Sequence, residues 1–102
     1  QRQMCIRDRY MERLLGTTWG GDIELAVLSA HFRTMIWCWD VAHGVCHKFG
    51  EGHAYPRFWM LAYSGIHYDV MECGGETTFA SEASEAYEAA GAQLVRKLHE
   101  QH

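Results

Sequence analysis

Proline is nearly missing from this sequence, with Pro56 the only one in 102 residues. That excludes a stiff Pro-rich spacer and argues against a low-complexity linker. Charge is sparse as well, at 22% of residues, while hydrophobic residues make up 48% and aromatics 13%. This is the composition of a packed globule and not of a disordered segment. A basic excess is lacking: nine Lys and Arg stand against thirteen Asp and Glu, for a net charge of −4. Without a basic stripe to neutralise phosphates, nucleic acid is not an expected partner. No apolar run comes near the roughly 20 residues that span a bilayer. The strongest runs, Ile23 to Leu28 and Phe58 to Tyr63, are far shorter, so neither a membrane span nor a secretory signal is expected. A second hydrophobic core has no room in a chain of this length.

Cysteine pairing is also missing. Cys5, Cys38, Cys46 and Cys73 are irregularly spaced, which fits no disulfide framework and makes a reducing, cytoplasmic setting the expectation. His43, Cys46 and His47 lie close together, but a structural zinc site needs paired ligands such as Cys-x2-Cys with a second pair at a defined distance. No such pair exists, so no metal is expected. His31, His53, His99 and His102 read as surface or boundary residues.

What is present alternates between helical and strand patterns, without repeats. Residues 1–9 carry no convincing period, resemble translated adapter sequence at Met4 to Arg9, and are expected to be non-native or disordered. Tyr10, Met11, Leu14 and Leu15 are spaced as the last turns of a helix ended by Gly16. Asp22, after two glycines, is an N-cap signal for a helix from Ile23 to His31, whose apolar face is expected to be Ile23, Val27, Leu28 and Ala30. Met35 to Val41 reads as a strand that turns at Ala42-His43-Gly44 and returns as Val45 to Phe49. A strand follows from Phe58 to Tyr63, then a turn at Ser64-Gly65 and a further strand over His67 to Met71. After a loop from Cys73 to Thr78, Ala83, Tyr87, Ala90, Leu94 and Leu98 recur every three or four residues. They predict an amphipathic helix packed on something, its polar face carrying acids early and bases late, as the helix dipole prefers.

The chemistry concentrates between Ala62 and Met71. Residues i and i+2 of a strand face the same side. His67 and Asp69 can then sit side by side, the carboxylate fixing one imidazole nitrogen and leaving the other to take a proton. A base with its orienter is two thirds of a catalytic triad. On spacing alone, His-x-Asp is more often an accident than a catalytic pair.

Two segments shift that weighting. Thr18-Trp19-Gly20-Gly21-Asp22-Ile23-Glu24-Leu25-Ala26-Val27-Leu28-Ser29 and Tyr63-Ser64-Gly65-Ile66-His67-Tyr68-Asp69 resemble the Trp-Gly-Gly-x-x-Glu-Leu and Gly-x-His-Tyr-Asp signatures of the ovarian-tumour (OTU) cysteine proteases, which remove ubiquitin. The element order and the run Lys48-Phe49-Gly50-Glu51 fit as well, and the sequence is most similar to the OTU1-like ubiquitin thioesterases. The resemblance implies an α+β, partial papain-like fold: a small, mainly antiparallel sheet packed by helices, plus a long C-terminal helix. Residues 10–75 would be the C-terminal half of an OTU domain, and 76–102 a loop and amphipathic helix.

By the same resemblance, His67 is the general base, Asp69 a candidate orienting member, and Gly65 and Ile66 line the groove for the ubiquitin tail. The implied partners are ubiquitin or polyubiquitin chains, with an AAA ATPase for those relatives that carry an N-terminal ubiquitin-like domain. The implied reaction needs no metal or organic cofactor. Trp19, Gly20, Gly21 and Glu24 carry the signature, with helix packing as their simplest role.

The nucleophile is the departure from the pattern. The family places its cysteine in Asp-x-x-Cys, upstream of Trp-Gly-Gly, whereas Cys5 follows Gln1-Arg2-Gln3-Met4. The expectation is therefore a truncated deubiquitinase, inactive by itself, with a catalytically dead ubiquitin-binding relative as the alternative.

Overall fold

The computed structural model describes residues 6–10 and 22–101. Among them, in chain order, are β1 (Ile6–Tyr10), α1 (Asp22–Phe32), β2 (Met35–Asp40), β3 (Val45–Phe49), β4 (Arg57–Tyr63), β5 (Tyr68–Cys73), β6 (Phe79–Ala80) and α2 (Ser84–Gln101), with a 3-10 turn, Ser81–Ala83, leading into α2. The strands form one sheet in the order β1-β5-β4-β2-β3, and β6 pairs with the first residues of β4. The fold is α+β, as expected. The sheet is mixed, because β2 and β4 run parallel, with Met35 opposite Phe58 and Asp40 opposite Tyr63, while the other pairings are antiparallel.

Alternation along the strands sorts side chains into two cores. On one face Trp37, Trp39, Phe58, Met60, Ala62 and Met71 pack with Phe79 and with Val95 of α2. On the other, Ile36, Cys38, Leu61 and Tyr68 pack with Leu25 of α1. The sheet is therefore the middle layer between two helices. Both β2 and β4 are buried on both sides, and this explains why their sequences, MIWCWD and RFWMLAY, read as nearly continuous apolar runs.

Helix α2 lies close against the sheet at Gly91, where an added Cβ would stand 2.7 Å from Cζ2 and 2.9 Å from Cε2 of the Trp39 indole. Two polar links pin it to the sheet side at points along its length: Lys48 pairs with Glu88 at 3.0 Å, and His99 Nδ1 donates to the Val41 carbonyl at 2.9 Å. On the α1 side, the buried Ser29 hydroxyl points at the carbonyls of Thr34 (2.8 Å) and Phe49 (3.3 Å). It thereby ties the end of the helix to the strand that leads into the β3–β4 connection.

Residues 6–10 form β1, which pairs antiparallel with β5 from Ile6 opposite Cys73 to Tyr10 opposite Asp69. Two expectations are corrected. Of the helix expected to end at Gly16, Tyr10 is instead in β1 and the remainder falls outside the described residues. The buried face of α1 is Leu25, Leu28 and Ser29, not Val27 and Ala30, and Val27 is 60% exposed. With Leu25, Ala26, Val27, Leu28 and Ala30 in one helix, apolar residues surround the axis, and the sheet decides which side is buried.

Candidate active site

The sheet end at which β4 leaves and β5 begins carries the residues singled out in the sequence. Pairing between these strands closes at Tyr63 opposite Tyr68. The four residues between them, Ser64 to His67, form a bend. Gly65 sits at φ +104°, a conformation that L side chains rarely adopt. Ile66 is 81% exposed at the tip. His67 is also exposed and lies just before β5, not within it as the alternation suggested.

Asp69, the second residue of β5, is half-buried and pairs in register with Ala62. Burial pushes its carboxyl above the ordinary value, and the nearby His67 imidazole pulls it partly back. The histidine and the carboxylate are thus electrically coupled across the start of the strand. His67 provides an imidazole open to solvent, and Asp69 a carboxylate that gains from a positive imidazolium. This can stabilise a base as it takes up a proton.

Side-chain contacts fix the turn expected at Ser64-Gly65. The Tyr63 hydroxyl donates to the Gly65 carbonyl at 2.9 Å, and the Tyr63 ring stacks on Tyr68 at 4.5 Å. The Ser64 hydroxyl accepts from the His67 amide at 3.1 Å. A serine just before glycine is a recognised local turn signal. At the same end of the sheet, Asp40 opposes Tyr63, and His43 Nδ1 donates to Asp40 Oδ2 at 2.8 Å. Burial raises the Asp40 carboxyl, but bonds from the His43 side chain and amide outweigh this and hold it below its ordinary value.

None of the described cysteines offers a thiolate at this end. Cys38 is buried in the α1-side core. Burial pushes the Cys46 thiol up to about 12, with the nearby Lys48 offsetting only part of that rise. Cys73 closes β5, six residues beyond His67, which places it about 20 Å along the strand. Cys5, Trp19, Gly20 and Gly21 fall outside the described residues, and Glu24 is exposed on α1. Among the described residues, no group of three or more His, Cys, Asp or Glu side chains is placed to hold a metal ion.

No family model matches the chain. Comparison with curated proteins does find relatives. The ubiquitin thioesterase OTU1 of Dictyostelium discoideum is 40% identical over 53 residues, covering 52% of this chain and 16% of that protein. The human ubiquitin thioesterase OTU1 is 33% identical over 78 residues, covering 64% of this chain and 22% of that protein. A solved structure of an OTU domain in complex with ubiquitin superposes with a TM-score of 0.74 at 27% identity, covering 81% of this chain and 49% of that one. The chain carries part of an OTU domain of the OTU1-like kind. An OTU deubiquitinating enzyme of Arabidopsis thaliana matches as well, at 36% over 53 residues, covering 52% of this chain and 26% of that protein. The matched segment thus spans roughly a sixth to a quarter of the length of these curated relatives.

Proposed function

We propose that this OTU segment supplies the histidine half of a ubiquitin-specific cysteine protease, which hydrolyses isopeptide or thioester bonds at the ubiquitin C-terminus. The observation that carries this reading is the exposed His67 on a glycine bend, coupled to Asp69 at the start of β5. His67 takes the proton of a cysteine that lies outside the described residues. The thiolate attacks the carbonyl of ubiquitin's last glycine, and the leaving group departs as His67 returns the proton. Water then attacks the acyl-enzyme with His67 again as base, releasing ubiquitin and the thiol. Asp69 orients the imidazole and stabilises its charged form. Gly65 and Ile66 line the slot for the tail, where glycine's missing side chain lets a slim peptide approach. The chemistry needs no metal or organic cofactor, and a thiol enzyme of this kind belongs in a reducing cytoplasm.

The test is turnover of a ubiquitin thioester and of an isopeptide-linked diubiquitin. The 102-residue chain alone is expected to show none. A full-length protein carrying it should cleave both, and His67→Ala in that protein should abolish cleavage. Robust turnover by the His67→Ala protein would overturn the assignment. Because every described cysteine is buried, raised in pKa or remote from His67, a ubiquitin-binding relative without catalysis is the second reading. Tight ubiquitin binding by a full-length protein with no turnover would favour it.

A further inference from the structure

We infer that Ser64 is the positioning residue of His67, with Tyr63 locking the same bend from its other side. The catalytic consequence rests on the deubiquitinase reading, whereas the positional claim stands without it. Ladder pairing of β4 with β5 ends at Tyr63 and Tyr68, so the sheet does not hold residues 64–67. Ser64 does this instead. Its amide donates to the His67 carbonyl at 3.0 Å. Its hydroxyl accepts from the amides of His67 at 3.1 Å and Ile66 at 3.4 Å, and donates to the His67 carbonyl at 3.4 Å.

A serine hydroxyl has one donor and two acceptor sites, and all three are engaged here. They grip both main-chain polar groups of the one residue whose side chain does the chemistry. Opposite, the Tyr63 hydroxyl holds the Gly65 carbonyl at 2.9 Å. Its ring stacks on Tyr68, which is buried in the core beneath α1. The bend is thereby anchored to the hydrophobic core through one aromatic pair. An exposed histidine gains little orientation from packing, so fixing its backbone works together with Asp69 to place the imidazole within the narrow tolerance that catalysis requires.

The experiment compares wild type with Ser64→Ala, Ser64→Asp and Tyr63→Phe. Alanine frees two amides, aspartate restores an acceptor at the same place, and phenylalanine keeps the ring stack while releasing the Gly65 carbonyl. Water-exchange NMR on the ¹⁵N-labelled chain should show the Ile66 and His67 amides exchanging about tenfold faster in Ser64→Ala. Ser64→Asp should return them to wild-type rates, and Tyr63→Phe should accelerate Gly65 and Ile66 with the melting transition retained. In the full-length protein, Ser64→Ala should lower kcat about tenfold or more with KM within about twofold, and Ser64→Asp should rescue kcat. Unchanged exchange in Ser64→Ala overturns the inference, as does accelerated exchange that Ser64→Asp fails to restore. If exchange responds as expected while the full-length wild type cleaves no ubiquitin substrate, the positional claim holds and the deubiquitinase reading is what fails.

Discussion

Gly91→Ala tests whether α2 is docked on the sheet, because two physical effects of opposite sign meet at that position. In an exposed helix interior, replacing glycine by alanine stabilises by about 1 kcal/mol, since glycine loses more backbone freedom on folding. Here the new methyl would stand 2.7 Å and 2.9 Å from two atoms of the Trp39 indole. Trp39 is only 4% exposed and packs among Trp37, Ala62 and Val95, so it cannot swing away at little cost. Forcing a methyl into such packing costs about 1–3 kcal/mol. The clash therefore outweighs the propensity gain, and the net expectation is a loss of about 1 kcal/mol. For a domain of this size that corresponds to a fall in Tm of roughly 4–8 °C. Urea denaturation followed by tryptophan fluorescence reads the change, and the m-value checks that the denatured state has not changed. A variant more stable than wild type by about 1 kcal/mol would refute the reasoning, because it would mean that Gly91 faces solvent and α2 lies elsewhere.

The two sheet-end carboxylates should respond to pH in opposite senses. Asp69 has a raised folded-state pKa, so its ionised form opposes folding above that value, and the cost vanishes below the unfolded value of 3.8. Asp69→Asn should therefore raise the melting temperature at pH 7, leave it unchanged at pH 3, and impair catalysis in the full-length protein. Asp40 has a lowered pKa, so its stabilising contribution is present above 3.8 and is lost as pH falls through the folded value. Asp40→Asn should destabilise at pH 7 and make no difference once the wild-type carboxyl is protonated. Melting curves across pH check both, and shifts of the reverse sign would contradict them. The Cys46 thiol, held near 12 by burial, should alkylate with iodoacetamide far more slowly at pH 7.5 than an unfolded control does, as peptide mass mapping can measure.

Much of this architecture is legible in the residues themselves. The β2–β3 hairpin is written in the aromatic run before Ala42-His43-Gly44, and α2 in the recurrence of Tyr87, Leu94 and Leu98 against the core. What composition hides is decided by tertiary contact. The burial side of α1 is ambiguous because apolar residues surround its axis, and only the sheet selects Leu25 and Leu28 over Val27. The parallel pairing of β2 with β4 depends on where the 50–56 connection lands, and no local pattern encodes that. His67 is in the bend and not in the strand because Ser64 closes the turn through its side chain, one residue later than alternation alone suggests. The two-residue β6 is too short to announce itself, and pairing with Arg57 and Phe58 is what makes it a strand.

The central claim is that the bend before β5 receives the tail of ubiquitin beside His67. Titrating the ¹⁵N-labelled chain with unlabelled ubiquitin, and in parallel with ubiquitin lacking its last two glycines, tests it most directly. The account predicts chemical-shift changes at Gly65, Ile66 and His67 with intact ubiquitin that disappear with the shortened form. Equal changes with both forms, or changes confined to the outer surface of α2, would contradict it.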